Sequence, residues 1–279
     1  MRLQTNIRIF IISLAALFTA CCVHSQHQNP FFGAHTLRKA KKSIVKIEGR
    51  TSIGITSTST TVPHLSLEFN STASGSIIEH YKDLTMILTA AHVCGVVYEQ
   101  QLGIFKHFVG SKSKITKIDV FTKLSVSDIK GRTFNAIQLF AVKKTDTCVI
   151  VTKRIPHRSL DISPQEPDIG EKAYNIGIPH GIWAPNFIPI FDGRFLGHFY
   201  VKNGRGNKSS CYSIPGAAGQ SGSPVINSFG QVTGMIHSVY RRYNHLSLSS
   251  TLEQIKHVIS RGQNRLDSKY QKYYKLLGK

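Results

Sequence analysis

The chain has 279 residues, and its 35 Lys and Arg outweigh 15 Asp and Glu, for a formal charge of +20. That length suits one large all-β domain or two medium ones, with a substantial core in either case. The charge favours an anionic partner, such as an envelope surface or polymer, but the basic residues follow no zinc-finger, helix-turn-helix or RNA-recognition pattern, which argues against specific nucleic-acid recognition.

Residues 1–25 carry Arg2 and Arg8, then an apolar run from Ile9 to Ala20, then small residues. This is the layout of a secretory signal peptide, and the run is too short for a membrane span. Cleavage after Ser25 is the preferred reading. The alternative takes Leu17-Phe18-Thr19-Ala20-Cys21 as similar to a lipobox, with Cys21 lipidated and the protein held as a membrane-anchored lipoprotein. Either reading sends the protein out of the cytoplasm, secreted or periplasmic, with no transmembrane span in the mature chain.

Residues 26–42 read as a polar, basic, poorly ordered lead-in. Ser43 to Gly49 alternates as a strand should, and strand-like runs follow at Ser74 to Ile78, Leu84 to Thr89, Ile115 to Leu124, Phe134 to Val142 and Cys148 to Thr152. Thr51 to Thr72 is rich in Ser and Thr and reads as an exposed hairpin or loop. Short strands with such punctuation suggest a barrel or a sandwich. Arg154 to Gly170 holds three prolines and reads as a crossover. Beyond it come a strand and turn over Gly170 to Gly181, a hairpin-like pair about Asp192-Gly193, and a loop over Asn203 to Ser210. A strand follows over Gln231 to Val239. Ser250 to Glu253 matches a capping box opening a helix, Leu252 to Ile259, with apolar residues on one face. Arg261 to Lys279 reads as a weakly ordered basic tail.

Three blocks carry chemistry. Small residues around Ser221, in Gly219-Gln220-Ser221-Gly222-Ser223-Pro224, let the backbone bend sharply, and Gly219 and Gly222 tolerate conformations that a Cβ resists. Such a turn aims the N–H groups of Gly219 and Ser221 at one point, as the oxyanion of an acyl-transfer reaction requires. A serine hydroxyl needs a base, and the base needs an orienting acid. His92, in Thr89-Ala90-Ala91-His92-Val93 after an apolar strand, is the candidate base. Glu99, Asp119, Asp128 and Asp146 are candidate acids. Asp146 is preferred because the apolar run after it, Cys148 to Val151, buries its neighbours; Asp119 is the runner-up.

The order His92, Asp146, Ser221, in these settings, resembles the chymotrypsin-like (trypsin-fold) serine peptidases. The bacterial and viral branches that include HtrA-type and glutamyl endopeptidases look closest. The resemblance spans Ser43 to Ser260. It implies an all-β fold of two six-stranded antiparallel β-barrels with a C-terminal helix: residues 43–153 the first barrel, 154–169 the linker, 170–249 the second barrel and 250–279 the helix and basic tail. It implies a serine endopeptidase acting on protein or peptide substrates, with no cofactor and no metal. The alternative is a non-catalytic relative that binds anionic polymers or envelope surfaces.

Relatives that cut after Glu or Gln place a histidine in the substrate pocket, and His237 falls near that place, with the outer face of its strand as the other reading. Tyr212 to Ala218 contains no acid, so the counter-charge for a Lys or Arg side chain is missing. Gln220 stands where digestive members carry an aspartate that receives a freed N-terminal amine, so competence on folding, or on removal of the lead-in, is expected instead. The 58 residues after Ser221 are not expected to hold a PDZ domain. After signal cleavage Cys94, Cys148 and Cys211 remain, an odd number that allows one bridge at most. Cys148 reads as a small core residue. Cys94 sits two places after His92, where the bridge of the animal members is not expected.

Overall fold

The computed structural model describes residues 30–60, 62–95, 114–200, 207–240 and 243–278. The signal-peptide and lipobox readings, the candidate acid Glu99 and residues 203–206 of the expected Asn203 to Ser210 loop lie outside the described residues. Among the described residues no helix is long and apolar enough to cross a membrane.

The expected poorly ordered lead-in instead ends in a helix, α1, Pro30–Lys41. Proline suits a first helical position, and Arg38, Lys39 and Lys41 in the last turn complement the negative end of the helix dipole. Ala40 is buried and Leu37 packs beside it against the main core, the i, i+3 pair that a short helix needs for anchorage.

Six strands close the first barrel: β1 Ile44–Ser57, β2 His64–Tyr81, β3 Leu84–Ala90, β4 Ile115–Ser127, β5 Thr133–Val142 and β6 Thr147–Lys153, in the order β1-β2-β3-β6-β5-β4. The Ser/Thr-rich stretch is the outer half of one long ribbon, in register from Ile44 opposite Ser76 to Thr56 opposite His64. Ile53 and Ile55 anchor its far end in a small separate cluster with Leu65, Leu67 and Ile118. Every residue of β3 is buried, since both faces of that strand are covered. Such a strand reads as an unbroken apolar run rather than an alternation.

The second barrel follows the proline-rich crossover: β7 Lys172–Ile176, β8 Ile190–Tyr200, β9 Lys208–Tyr212, β10 Pro224–Ile226, β11 Val232–Tyr240 and β12 Tyr243–Ser250, in the order β10-β11-β12-β9-β8-β7. The expected hairpin about Asp192-Gly193 is absent: both residues lie inside β8, opposite Tyr174 and Ala173. Gly193 serves close approach rather than a turn, because a Cβ there would sit 2.2 Å from the Ser213 carbonyl oxygen.

The C-terminal helix, α2, runs Leu252–Gly278, past the expected stop at Ile259 and through the supposed tail, with non-helical backbone at Lys269. Leu266, Tyr273 and Leu277 continue its buried stripe into the main core, which supplies the order that composition did not suggest. The capping box is real but one residue later than the motif match. The Gln254 N–H donates to Thr251 Oγ1 (3.3 Å) and the Thr251 N–H to Gln254 Oε1 (3.0 Å). Ser250 stays in β12 and donates its hydroxyl to the Thr145 carbonyl.

Candidate active site

His92 and Asp146 come from the two ends of neighbouring strands. β3 ends at Ala90 and passes into a short 3-10 turn, Ala91–Cys94, that carries His92. β6 begins at Thr147, just after Asp146, and Ala90 faces Thr147 across the ladder. Asp146 takes left-handed backbone (φ 52°), which aspartate tolerates better than most residues. Its carbonyl accepts from the Ala91 N–H at 3.1 Å and its Oδ1 from the His92 N–H at 3.0 Å. Its Oδ2 lies 2.8 Å from His92 Nδ1. Three bonds thus fix Ala91 and the backbone and ring of His92 to one residue, leaving Nε2 as the outward nitrogen. The imidazole is 34 % exposed and the carboxylate 19 %, open enough for a substrate and covered enough to hold the pair's geometry.

The other candidate acids stand elsewhere. Asp119 is on an exposed part of β4 and pairs with Lys117 at 2.8 Å. Asp128 is fully buried in the β4–β5 turn and accepts from the Lys130 and Arg132 N–H groups and the Arg132 guanidinium. Burial alone would raise its pKa; those donors outweigh it and hold the carboxyl below its ordinary value.

Ser221 occupies the turn between β9 and β10. Gly219 (φ 91°) and Gly222 (φ 86°) both take the positive φ expected of them. Both also stand where a side chain has no room. A Cβ on Gly219 would lie 2.3 Å from the Ile178 carbonyl oxygen, and one on Gly222 would lie 2.2 Å from both Ser74 O and Thr89 Oγ1. Gly222 therefore lies against the strand that leads into His92. The Ser74 N–H also donates to the Ser221 carbonyl at 2.9 Å. Among the described residues, the N–H groups of Gly219 and Ser221 donate to no internal partner, while that of Gln220 between them turns back to Ala217 O.

Residues without an obvious motif hold this turn. Gln220 is buried; its Oε1 accepts from the Ala217 N–H at 2.6 Å and its Nε2 donates to Asn175 Oδ1 at 3.1 Å. Asn175 Nδ2 donates to Ser223 Oγ and to Pro224 O, and Ser223 Oγ donates to the Gln220 carbonyl. Ser74 Oγ donates to Gly219 O and accepts from the Ile178 N–H. The sequence signal for Asn175 is an amide within a mostly apolar run, Ala173 to Ile178, a polar group that burial obliges to find partners. Ser74 carried no signal.

His237 lies at a bulge in β11, between Ile236, which faces Ser249, and Ser238, which faces Leu248. A bulge re-aims the side chain, and alternation along the strand does not predict where it points. Its Nε2 is 3.5 Å from Ser209 Oγ. Burial depresses its pKa, the Asp146 charge opposes the shift and His92 adds to it, so the ring is within electrostatic reach of both.

Cys94 and Cys148 form a disulfide, with Cα atoms 6.7 Å apart. One bridge and one remaining thiol agree with the odd count, and Cys148 is buried in the main core as expected. The bridge at Cys94 is the new element, since each cysteine stands two places after a member of the His92–Asp146 pair, on segments that the β3–β6 ladder already brings together. Cys211 is a free, half-buried thiol whose pKa burial raises.

The sequence family described as trypsin-like peptidase domain matches residues 73–235. No curated protein matches the chain. Among solved structures, the fold is similar to the active form of the Rv3671c protease from M. tuberculosis, at 15 % identity and a TM-score of 0.57, covering 84 % of each chain. It is also similar to a serine endoprotease from Yersinia pestis, at 15 % identity and a TM-score of 0.55, covering 82 % of this chain and 66 % of that one.

Proposed function

The chain belongs to the trypsin-like peptidase family, and from that premise we propose that it is a secreted or periplasmic serine endopeptidase with Ser221 as nucleophile, His92 as base and Asp146 as orienting acid. The observation that carries this is the 2.8 Å contact between His92 Nδ1 and Asp146 Oδ2, together with a serine turn in which the Gly219 and Ser221 N–H groups have no internal partner among the described residues. The location rests on the leader-like residues 1–25.

Ser221 Oγ attacks the scissile carbonyl carbon while His92 Nε2 takes its proton, and the Asp146 carboxylate stabilises the imidazolium that forms. The carbonyl oxygen becomes an oxyanion that accepts from the Gly219 and Ser221 N–H groups, each such donor contributing on the order of 3 kcal/mol to the transition state. Collapse breaks the C–N bond, and His92 delivers its proton to the leaving amine. Water then attacks the acyl ester, again deprotonated by His92, and the proton returns to Ser221 Oγ as the acid departs. Strand β11, which carries His237, walls the substrate pocket in this reading.

Labelling by a fluorophosphonate tests this, with casein cleavage followed in parallel. Wild type is expected to label and cleave, and Ser221→Ala and His92→Ala to do neither. A folded wild type that neither labels nor cleaves overturns the assignment.

A further inference from the structure

We infer, resting on the peptidase reading above, that this enzyme cuts after a small residue (Gly, Ala or Ser at P1, the residue whose carbonyl Ser221 attacks) and that Val239 sets the limit. On that reading the carbonyl oxygen lies between the Gly219 and Ser221 N–H groups, which would direct the P1 side chain between two walls. One is the segment 213–218 that leads into the serine turn; the other is the end of β11 beyond His237.

In this chain the two walls touch. A Cβ placed on Gly216 would lie 1.9 Å from Val239 Cγ1 and 2.7 Å from Ser247 Oγ, so the Val239 methyl rests on the Gly216 backbone itself. Ser247 lies opposite Val239 in the β11–β12 pairing, and its hydroxyl donates to the Ile214 carbonyl at 2.8 Å. The Gly216 N–H donates to the Asn244 carbonyl, also at 2.8 Å. Strand β12 is therefore tied to the far wall behind Val239, and the space closes at its floor as well as its side.

A methyl or hydroxymethyl group can lie across the top of this contact. A Leu, Phe, Lys or Glu side chain would have to displace Val239 from Gly216. Nothing at the floor offers a charged P1 side chain compensation, since residues 212–218 contain no acid and no base. One methylene too many in a closed apolar pocket lowers kcat/KM by about 10- to 200-fold.

The test counts active sites with a fluorophosphonate, then measures kcat/KM per labelled site on peptides differing only at P1 (Gly, Ala, Ser, Leu, Phe, Glu, Lys). It compares wild type with Val239→Gly and with the milder Val239→Ala. Wild type is expected to favour the small residues by at least about tenfold, and the Leu-to-Ala ratio to rise by at least about tenfold in Val239→Gly. If Val239→Gly does not label, Val239→Ala reads the same ratio with a smaller rise. A labelled wild type that prefers Leu, Phe or Lys overturns the inference, as does an unchanged ratio in a labelled variant. A preference for Glu overturns it and assigns the pocket to His237. A wild type that does not label overturns the peptidase reading, and the P1 limit falls with it, an outcome separable from a labelled enzyme of the wrong preference.

Discussion

Removing the Cys94–Cys148 bridge by the double substitution to alanine tests how the segments of the first barrel that carry His92 and Asp146 are held. The bridged residues are 54 apart in sequence, and closing a loop of that length in the unfolded chain lowers its entropy enough to stabilise the folded state by about 4 kcal/mol. Both cysteines are buried, at 4 % and 0 % exposure, and alanine avoids stranding a hydroxyl there. The expected result is a loss of about 4 kcal/mol in urea unfolding, with a steeper denaturant dependence because the unbridged chain unfolds to a more expanded state. Activity per labelled site should fall less than about tenfold, because the Ala91 and His92 N–H groups and the His92 ring remain bonded to Asp146. A variant within about 1 kcal/mol of wild type would refute the loop-entropy argument. Three reactive thiols among Cys94, Cys148 and Cys211 in the unreduced protein would remove its premise.

Asp146→Asn should keep the fold but lose the acceptor that fixes the His92 tautomer, lowering kcat by about four orders of magnitude; an active Asn variant in steady-state assays would exclude Asp146 from the triad. Gln220→Glu preserves shape but, when ionised, sets a buried carboxylate oxygen against Asn175 Oδ1, where the amide donated. Its kcat/KM relative to wild type should fall as pH rises through the raised pKa of that buried acid, within roughly pH 5 to 9; a flat ratio counts against the amide contact as a support of the turn. Asp128→Asn should destabilise by about 2 kcal/mol at neutral pH, discounted because the Arg132 side chain is 44 % exposed. Since the folded pKa of Asp128 is lowered, its contribution is present above the unfolded value, near 4, and fades as pH falls through the folded one. The difference between variant and wild type should therefore shrink in urea unfolding as the pH is taken below the unfolded value, and a constant difference would refute the charge argument.

Local chemistry was legible in the sequence wherever a few consecutive residues determine it. The small residues around Ser221, the Ala-Ala before His92 and the apolar run after Asp146 each report a sharp turn or a buried strand, and the structure has those features there. Legibility fails where the partner is distant. Gly193 resembles a turn residue next to Asp192, and only the approach of Ser213 shows why no side chain fits. Cys148 reads as a core residue until the β3–β6 register brings its segment beside Cys94. Ser250 and Glu253 have the right types at the right spacing for a capping box, whereas the pair that caps the helix is Thr251 and Gln254, one residue later, with β12 and Thr145 holding Ser250; the helix itself starts at Leu252 as expected. The tail resembled a solvated basic segment because its apolar positions, Leu266, Tyr273 and Leu277, are seven and four residues apart, too sparse to see without the surface they meet.

The two barrels contribute different things, and the hydrogen bonds that join them around the serine turn are neutral. The first supplies His92 and Asp146, the second Ser221 and its flanking N–H groups. Ser74, on β2, bonds to Ser221 O through its N–H and to Gly219 O through its hydroxyl, and receives the Ile178 N–H. Ser250 reaches back to Thr145, next to Asp146. Gln220, Asn175 and Ser223 complete the support within the second barrel. None of these groups carries a charge, so the support of the turn depends on their burial and mutual pairing, which the packing of the barrels provides. A liberated terminal amine finds no carboxylate at residue 220 to receive it, and the same side chain already has both amide atoms engaged. The expectation that follows is a turn formed by folding itself, with the breadth of the substrate pocket, rather than the formation of the turn, left to residues such as Val239.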